Sequence, residues 1–222
     1  MRMGRGTLTE ILLDTDGMGG RIACAPERIP APGQYLLAHN GSDLPLGVAL
    51  FNAGPAAGGF VAAAPLPPEW SPGARLRLRG PLGRGFSLPI VARRVALVTL
   101  DGGPSCLLPL IPFALRQNAA VTLVATYSPP NLPDAVEVQP HSALAEVAAW
   151  ADYLAVVVRS GSLANWSQLL RASQAPMQVL VRTPMPCAGI ADCGICAVSM
   201  RQGWKLACKD GPVLDADEIL GR

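Results

Sequence analysis

Near residue 93 the apolar pattern changes period, and few folds accommodate both halves. Before it, "RIACA" (21–25), "QYLLA" (34–38), "GVALF" (47–51), "FVAAA" (60–64) and "RLRLRG" (75–80) are short β segments parted by Pro- and Gly-rich turns. Strands this short at near-regular spacing predict a small antiparallel barrel or sandwich. The 23 Gly and 22 Pro suit such turns better than long helices, yet stay below the level of a low-complexity chain. After the change, "RRVALVTL" (93–100) and "AAVTLVATY" (119–127) are almost continuously apolar, as in strands buried on both faces of a parallel sheet. "LLPLIPFALRQN" between them reads as a short helix despite its prolines. "SALAEVAAWA" (142–151) is a better helix with Ser142 as N-cap, and "YLAVVV" (153–158) a strand. "SLANWSQLLRAS" (162–173) and "MQVLVRT" (177–183) repeat the helix–strand alternation of βαβ units. The predicted architecture is an antiparallel β-barrel over 1–92, a Rossmann-like parallel α/β domain over 93–183, and a cysteine-rich segment over 184–222.

Composition narrows the function classes. Half of the 222 residues are apolar, which excludes global disorder. The formal net charge is only +2, and no long basic tract interleaved with aromatics points to nucleic acid. In "RLRLRG" Arg alternates with Leu, the period of a half-buried strand, so its arginines are expected on a solvated face. The start, "MRMGRGTLTEILL", has no apolar core with a cleavage site, and no apolar run reaches the ~18 residues that span a bilayer. A cytoplasmic protein is expected. Stable disulfides are rare there, so crowded cysteines favour metal.

Four of the six cysteines crowd into "CAGIADCGICAVSMRQGWKLAC", with spacing Cys187-x5-Cys193-x2-Cys196-x11-Cys208. The C-x2-C pair sets two thiolates on one tight loop. Gly189 and Gly194 supply backbone conformations that free N–H groups to donate to sulfur. The last gap fits a small hairpin turning at Gln202–Gly203. Plant-type 2Fe–2S loops have C-x4-C-x2-C and a distant fourth cysteine, one residue shorter in the first gap. An iron–sulfur centre is the leading reading. Zinc, which usually takes two short-spaced pairs, stands second, and disulfides or plain buried thiols third. A Rieske centre needs two histidines, and His39 and His141 are both remote from the loop in sequence. Of the other cysteines, Cys24 is expected as a small buried hydrophobe. Cys106, after "DGGPS", is a candidate for exposure with nothing adjacent to activate it.

With these residues in view, "CAGIADCGICAVSMRQGWKLACKDGPVLDADEI" resembles the C-terminal iron–sulfur segment of the electron-transfer subunit of class 1B dihydroorotate dehydrogenase. "ACKDGPVLDADEI" carries most of the likeness. "PAPGQYLLA" (30–38) is similar to the Pro-Gly-Gln-aromatic strand of the ferredoxin-reductase-like barrel, and "LRLRGPLGRGFSLP" (76–89) to its Gly-Pro-Leu-Gly loop. The resemblance runs along the whole chain in order and is weakest between about 101 and 183.

The resemblance implies a 2Fe–2S cluster on Cys187, Cys193, Cys196 and Cys208, FAD in the barrel, NADH oxidation, and electron flow to a flavin-containing catalytic subunit that makes orotate for pyrimidine biosynthesis. A hetero-oligomer follows, without nucleic acid or membrane. The family's first ligand would stand at Ala188, so Cys187 reaches the cluster only if the loop bulges at Gly189. FAD is implied at Gly80, Pro81, Leu82 and Gly83. The family's Arg-Pro-x-Ser-like motif, however, falls on "LPLGVALFNA" (44–53), with no Arg, Ser or Thr, which leaves Arg79, Arg84 or the backbone of 80–85 for the pyrophosphate. A nicotinamide nucleotide is implied at Gly102 and Gly103, where Asp101 adds a negative charge and Pro104 removes an amide donor. The expectation is an electron-transfer subunit relaying electrons to or from a flavin-containing dehydrogenase, and fed by a partner if its own nucleotide sites have decayed; the alternatives are a complete NADH-oxidising FAD reductase with diverged motifs and a zinc-stabilised scaffold or regulatory subunit.

Overall fold

The computed structural model describes residues 3–14, 17–41, 46–171 and 173–220. Six antiparallel strands, β1 (Met3–Asp14), β2 (Gly17–Cys24), β3 (Tyr35–His39), β4 (Val48–Ala56), β5 (Gly59–Ala62) and β6 (Arg75–Leu82), close a barrel in the order β1-β2-β5-β4-β3-β6. Alternation decides which side chains fill it: Leu8, Ile22, Leu36, Leu50, Phe60 and Leu78 turn inward and are almost fully buried. The neighbours of two of them, Tyr35 beside Leu36 and Arg79 beside Leu78, therefore point outward, and both are buried by what lies outside the barrel. β1 is the strand that the sequence pattern hid. A register shift between Leu8 and Glu10 breaks its alternation, so its period-2 signal is split in two.

The second layer is a six-stranded sheet. β7 (Arg94–Thr99), β8 (Ala120–Val124), β9 (Val136–Gln139), β10 (Tyr153–Arg159) and β11 (Met177–Arg182) run parallel, while a short C-terminal strand, β14 (Val213–Asp215), joins β11 antiparallel. The order β14-β11-β10-β7-β8-β9 reverses between β7 and β10, the switch point of a doubly wound sheet. Helices α1 (Ile111–Arg116), α2 (Leu144–Trp150) and α3 (Leu163–Arg171) make the crossovers. Ser142 lies in a single 3-10 turn, His141–Ala143, and α2 follows with no side-chain cap; Ser142 is not the N-cap. β9 was unread because its four residues "VEVQ" are too few to carry a period.

The remaining segment contributes a hairpin of β12 (Ala197–Ser199) and β13 (Trp204–Leu206), then α4 (Ala207–Asp210) and, after β14, α5 (Ala216–Leu220). One buried cluster runs from the sheet (Val98, Val156, Leu180) through Cys196 and Cys208 to Tyr35 and Phe51 of the barrel. Barrel, sheet and C-terminal segment thus share a core.

Candidate metal centre

The hairpin creates the first thiol pair. β12 and β13 pair Ala197 with Leu206, and the Ala207 N–H donates to the Cys196 carbonyl at 3.0 Å. The cysteine just before the hairpin and the one just after it are thereby forced together, with Cys196 Sγ 3.1 Å from Cys208 Sγ, both buried. Gly203 turns the hairpin at φ +75°, where the sequence placed the turn.

The second pair is made by the loop before it. Cys187 Sγ stands 3.6 Å from Cys193 Sγ, Cys187 half-buried and Cys193 exposed. The long first gap is absorbed by two successive left-handed residues, Ala188 (φ +43°) and Gly189 (φ +82°). Backbone hydrogen bonds at Ala191 and Gly189 bring the Cys187 thiol down to about 7. Burial, then the Cys196 thiol, pushes Cys208 up to about 12. The two pairs face one another, since the Cys208 thiol acts on Cys187 as well as on Cys196. Among the described residues, no three His, Cys, Asp or Glu side chains gather as a site for one metal ion. The arrangement is two plus two.

Contacts from β3, β6 and the loop after it hold this segment to the barrel. The buried Tyr35 hydroxyl donates to the Cys208 carbonyl at 3.2 Å. Its own pKa is raised by burial first and then by Cys208, while Arg79 opposes the rise. Arg79 Nη2 donates to the carbonyls of Cys187 (3.2 Å) and Ala188. The Arg84 N–H donates to Gly211 at 2.6 Å. Gly83 (φ +75°) lies so close that a Cβ there would stand 2.6 Å from Pro212 Cδ. The 80–85 loop is packed against the C-terminal segment.

A cavity of about 730 Å³ lies elsewhere, outside the carboxyl ends of β10 and β11 and against β4. Val48, Ala49, Phe51 and Met185 wall it, with Arg159 and Arg182 at its lining. Arg182 Nη2 also donates to Ala64 of the barrel at 2.5 Å. Gly80, Pro81, Leu82, Gly83, Gly102 and Gly103 line no part of this cavity, and Leu44 and Pro45 of the β4 approach lie outside the described residues. The turn after β7 is closed. Asp101 Oδ1 accepts the Arg159 N–H at 2.8 Å across the switch point, the Thr99 hydroxyl donates to Gly102 at 2.9 Å, and Gly103 to Cys106 are buried.

Two expectations need correction. Arg75 and Arg77 are exposed, but Arg79, next in the same row, is only 4 % exposed because the cysteine loop covers it. Cys106 is buried at 1 % exposure, whereas Cys24 is half-buried. The roles of Tyr35 and Arg79 went unread, although a large aromatic on the outward face of a barrel strand is a signal that something covers that face.

Residues 184–220 match the family model for the iron–sulfur cluster binding domain of dihydroorotate dehydrogenase B. No curated protein matches the chain. Among solved structures, an NADH-dependent reduced ferredoxin–NADP oxidoreductase described for flavin-based electron bifurcation is 14% identical, with a TM-score of 0.76 over 96% of this chain and 89% of its own. The ferredoxin reductase of carbazole 1,9a-dioxygenase is 16% identical, with a TM-score of 0.61 over 80% of this chain and 66% of its own. A self-sufficient cytochrome P450 monooxygenase of type IV shares 12% identity, with a TM-score of 0.58 over 84% of this chain and 29% of its own. No helix among the described residues is long and apolar enough to cross a membrane. The chain has the fold of ferredoxin-reductase-like structures, and its C-terminal segment matches the iron–sulfur cluster binding domain of dihydroorotate dehydrogenase B.

Proposed function

We propose that the chain relays electrons through a 2Fe–2S cluster on Cys187, Cys193, Cys196 and Cys208 to or from a flavin-containing dehydrogenase subunit, dihydroorotate dehydrogenase in pyrimidine biosynthesis. The observation that carries this reading is the two-plus-two grouping of the thiols. A zinc ion with ~2.3 Å Zn–S bonds would gather all four sulfurs about 3.8 Å apart in one tetrahedron. A two-iron centre needs only two thiolates on each iron, because sulfide supplies the rest. Such a group supplies one-electron transfer when bound.

The chain's own residues make the surroundings. Cys196 and Cys208 are buried beside Val198 and Ala207, while Cys187 and Cys193 lie at the surface. In the same segment Ile190, Ile195 and Trp204 are 70%, 55% and 71% exposed. Apolar side chains this exposed beside a redox centre suit a protein partner that brings its own flavin within transfer range.

The walls of the 730 Å³ cavity fit a flavin ring, and its place outside the sheet's carboxyl edge is where such folds take ligands. That observation favours a second reading, in which the chain carries FAD with Arg159 and Arg182 as the available cations. The turn at Asp101–Cys106, where Asp101 accepts the Arg159 N–H and residues 103–106 are buried, favours entry of electrons from a partner over binding of a nicotinamide dinucleotide. Anaerobic purification with counts of iron, sulfide, zinc and flavin tests both. Two irons and two sulfides per chain are expected. One zinc without iron would end the relay reading and leave a zinc-stabilised scaffold.

A further inference from the structure

The thiol loop is pinned to the barrel by a charge that has no counter-charge. Arg79 is 4 % exposed, and only its Nη2 is paired, with the carbonyls of Cys187 and Ala188. Its Nε and Nη1 are buried with no hydrogen-bond partner among the described residues, and no ion pair there includes it. A buried guanidinium without a carboxylate is destabilising, and carbonyl oxygens do not neutralise it. Two unpaired nitrogens, carrying three N–H donors, and a full positive charge against a loop of four cysteines mark the place of an anion. Of the other cations of that segment, Lys209 is paired with Asp192 and Lys205 with Glu218 at 2.7 Å, and Arg201 is exposed.

We infer that Arg79 is the internal counter-charge of the metal centre and raises its reduction potential. The inference rests on the reading that Cys187, Cys193, Cys196 and Cys208 hold a 2Fe–2S cluster. Four thiolates and two sulfides outweigh two ferric ions, so the oxidised centre is already an anion. One-electron reduction adds a further negative charge with no bond made or broken. A fixed cation in a water-poor setting favours the reduced state over the oxidised one. Arg79 also ties the loop down, but tying needs only the carbonyl contacts; the two unpartnered nitrogens belong to the electrostatic role.

The experiment reconstitutes wild type, Arg79→Gln and Arg79→Lys anaerobically, counts iron, sulfide and flavin, and titrates the centre by EPR against redox mediators. With irons retained, Arg79→Gln should lower the one-electron reduction equilibrium about tenfold, ~59 mV. Arg79→Lys, which keeps the charge, should stay within about twofold of wild type. The inference is overturned if Arg79→Gln keeps both its irons and the wild-type potential, or if Arg79→Lys falls as far as Arg79→Gln. Loss of flavin with the potential unmoved would overturn it too, assigning Arg79 to a flavin phosphate. Should Arg79→Gln fail to hold iron, Arg79→Lys decides: irons held near the wild-type potential support the counter-charge, and irons lost in both variants overturn it. A wild-type chain holding zinc and no iron removes the relay reading itself, an outcome distinct from iron present with an unmoved potential.

Discussion

Tyr35 shows how much a single outward-facing side chain carries in this molecule. Its ring is fully buried between the barrel and the sheet, 6.0 Å from Phe51, and its hydroxyl meets the Cys208 carbonyl. Tyr35→Phe keeps the packing and leaves that carbonyl without its donor, which should cost about 1 kcal/mol in urea unfolding of the metal-free chain. A loss below a few tenths would mean that the hydroxyl does not hold the segment. The thiols themselves should react unequally. In the reduced, metal-free protein, Cys187 is a thiolate above about pH 7, whereas burial keeps Cys208 protonated. Iodoacetamide should therefore alkylate Cys187 with a rate that rises through pH 7, and reach Cys208 only on unfolding. Equal labelling of the two by peptide mapping would contradict the geometry. Cysteine spacing made the thiols legible in the sequence. Arg79 was not, because "RLRLRG" states which way a side chain points and nothing about what covers it.

At the scale of elements, the Gly-Pro-Leu-Gly loop after β6 acts as a latch for the C-terminal segment. Gly83 combines a positive φ with a close approach to Gly211 and Pro212, while Gly73 has φ +90° and no neighbour within 4 Å of a Cβ. Comparing the two separates backbone strain from collision. Gly73→Ala should cost about 1 kcal/mol, the left-handed penalty alone, and Gly83→Ala about 2–4 kcal/mol as overpacking adds to it. Equal losses in chemical denaturation would dismiss the latch. β7, β8, β10 and β11 were readable as continuous apolar runs, and the hairpin from Gln202–Gly203. β14 was not, since three residues have no period and its place is set by pairing with Gln178–Leu180 of β11, some 35 residues earlier in the chain. Such a strand is specified by tertiary contact alone.

At the scale of the whole molecule, β14 couples the cysteine segment to the sheet, and the hairpin exposes Trp204 to solvent. One end of the segment is thus rigidly built in while the other is presented. Ile190, Ile195 and Trp204 expose apolar surface that a folded chain gains nothing by keeping wet. Burying one such side chain against a partner contributes about 1.5–3 kcal/mol, and Trp is the commonest anchor of protein interfaces. Trp204→Ala should therefore weaken binding to the dehydrogenase subunit by tenfold or more in calorimetry, with iron content and unfolding midpoint unchanged. Phe113, 48 % exposed on α1, lies on the sheet domain with Arg116 over its ring, and serves as the control. Phe113→Ala should leave the affinity where it was. If both variants bind like the wild type, the partner approaches the centre from another side and the exposed residues of the hairpin have no part in docking.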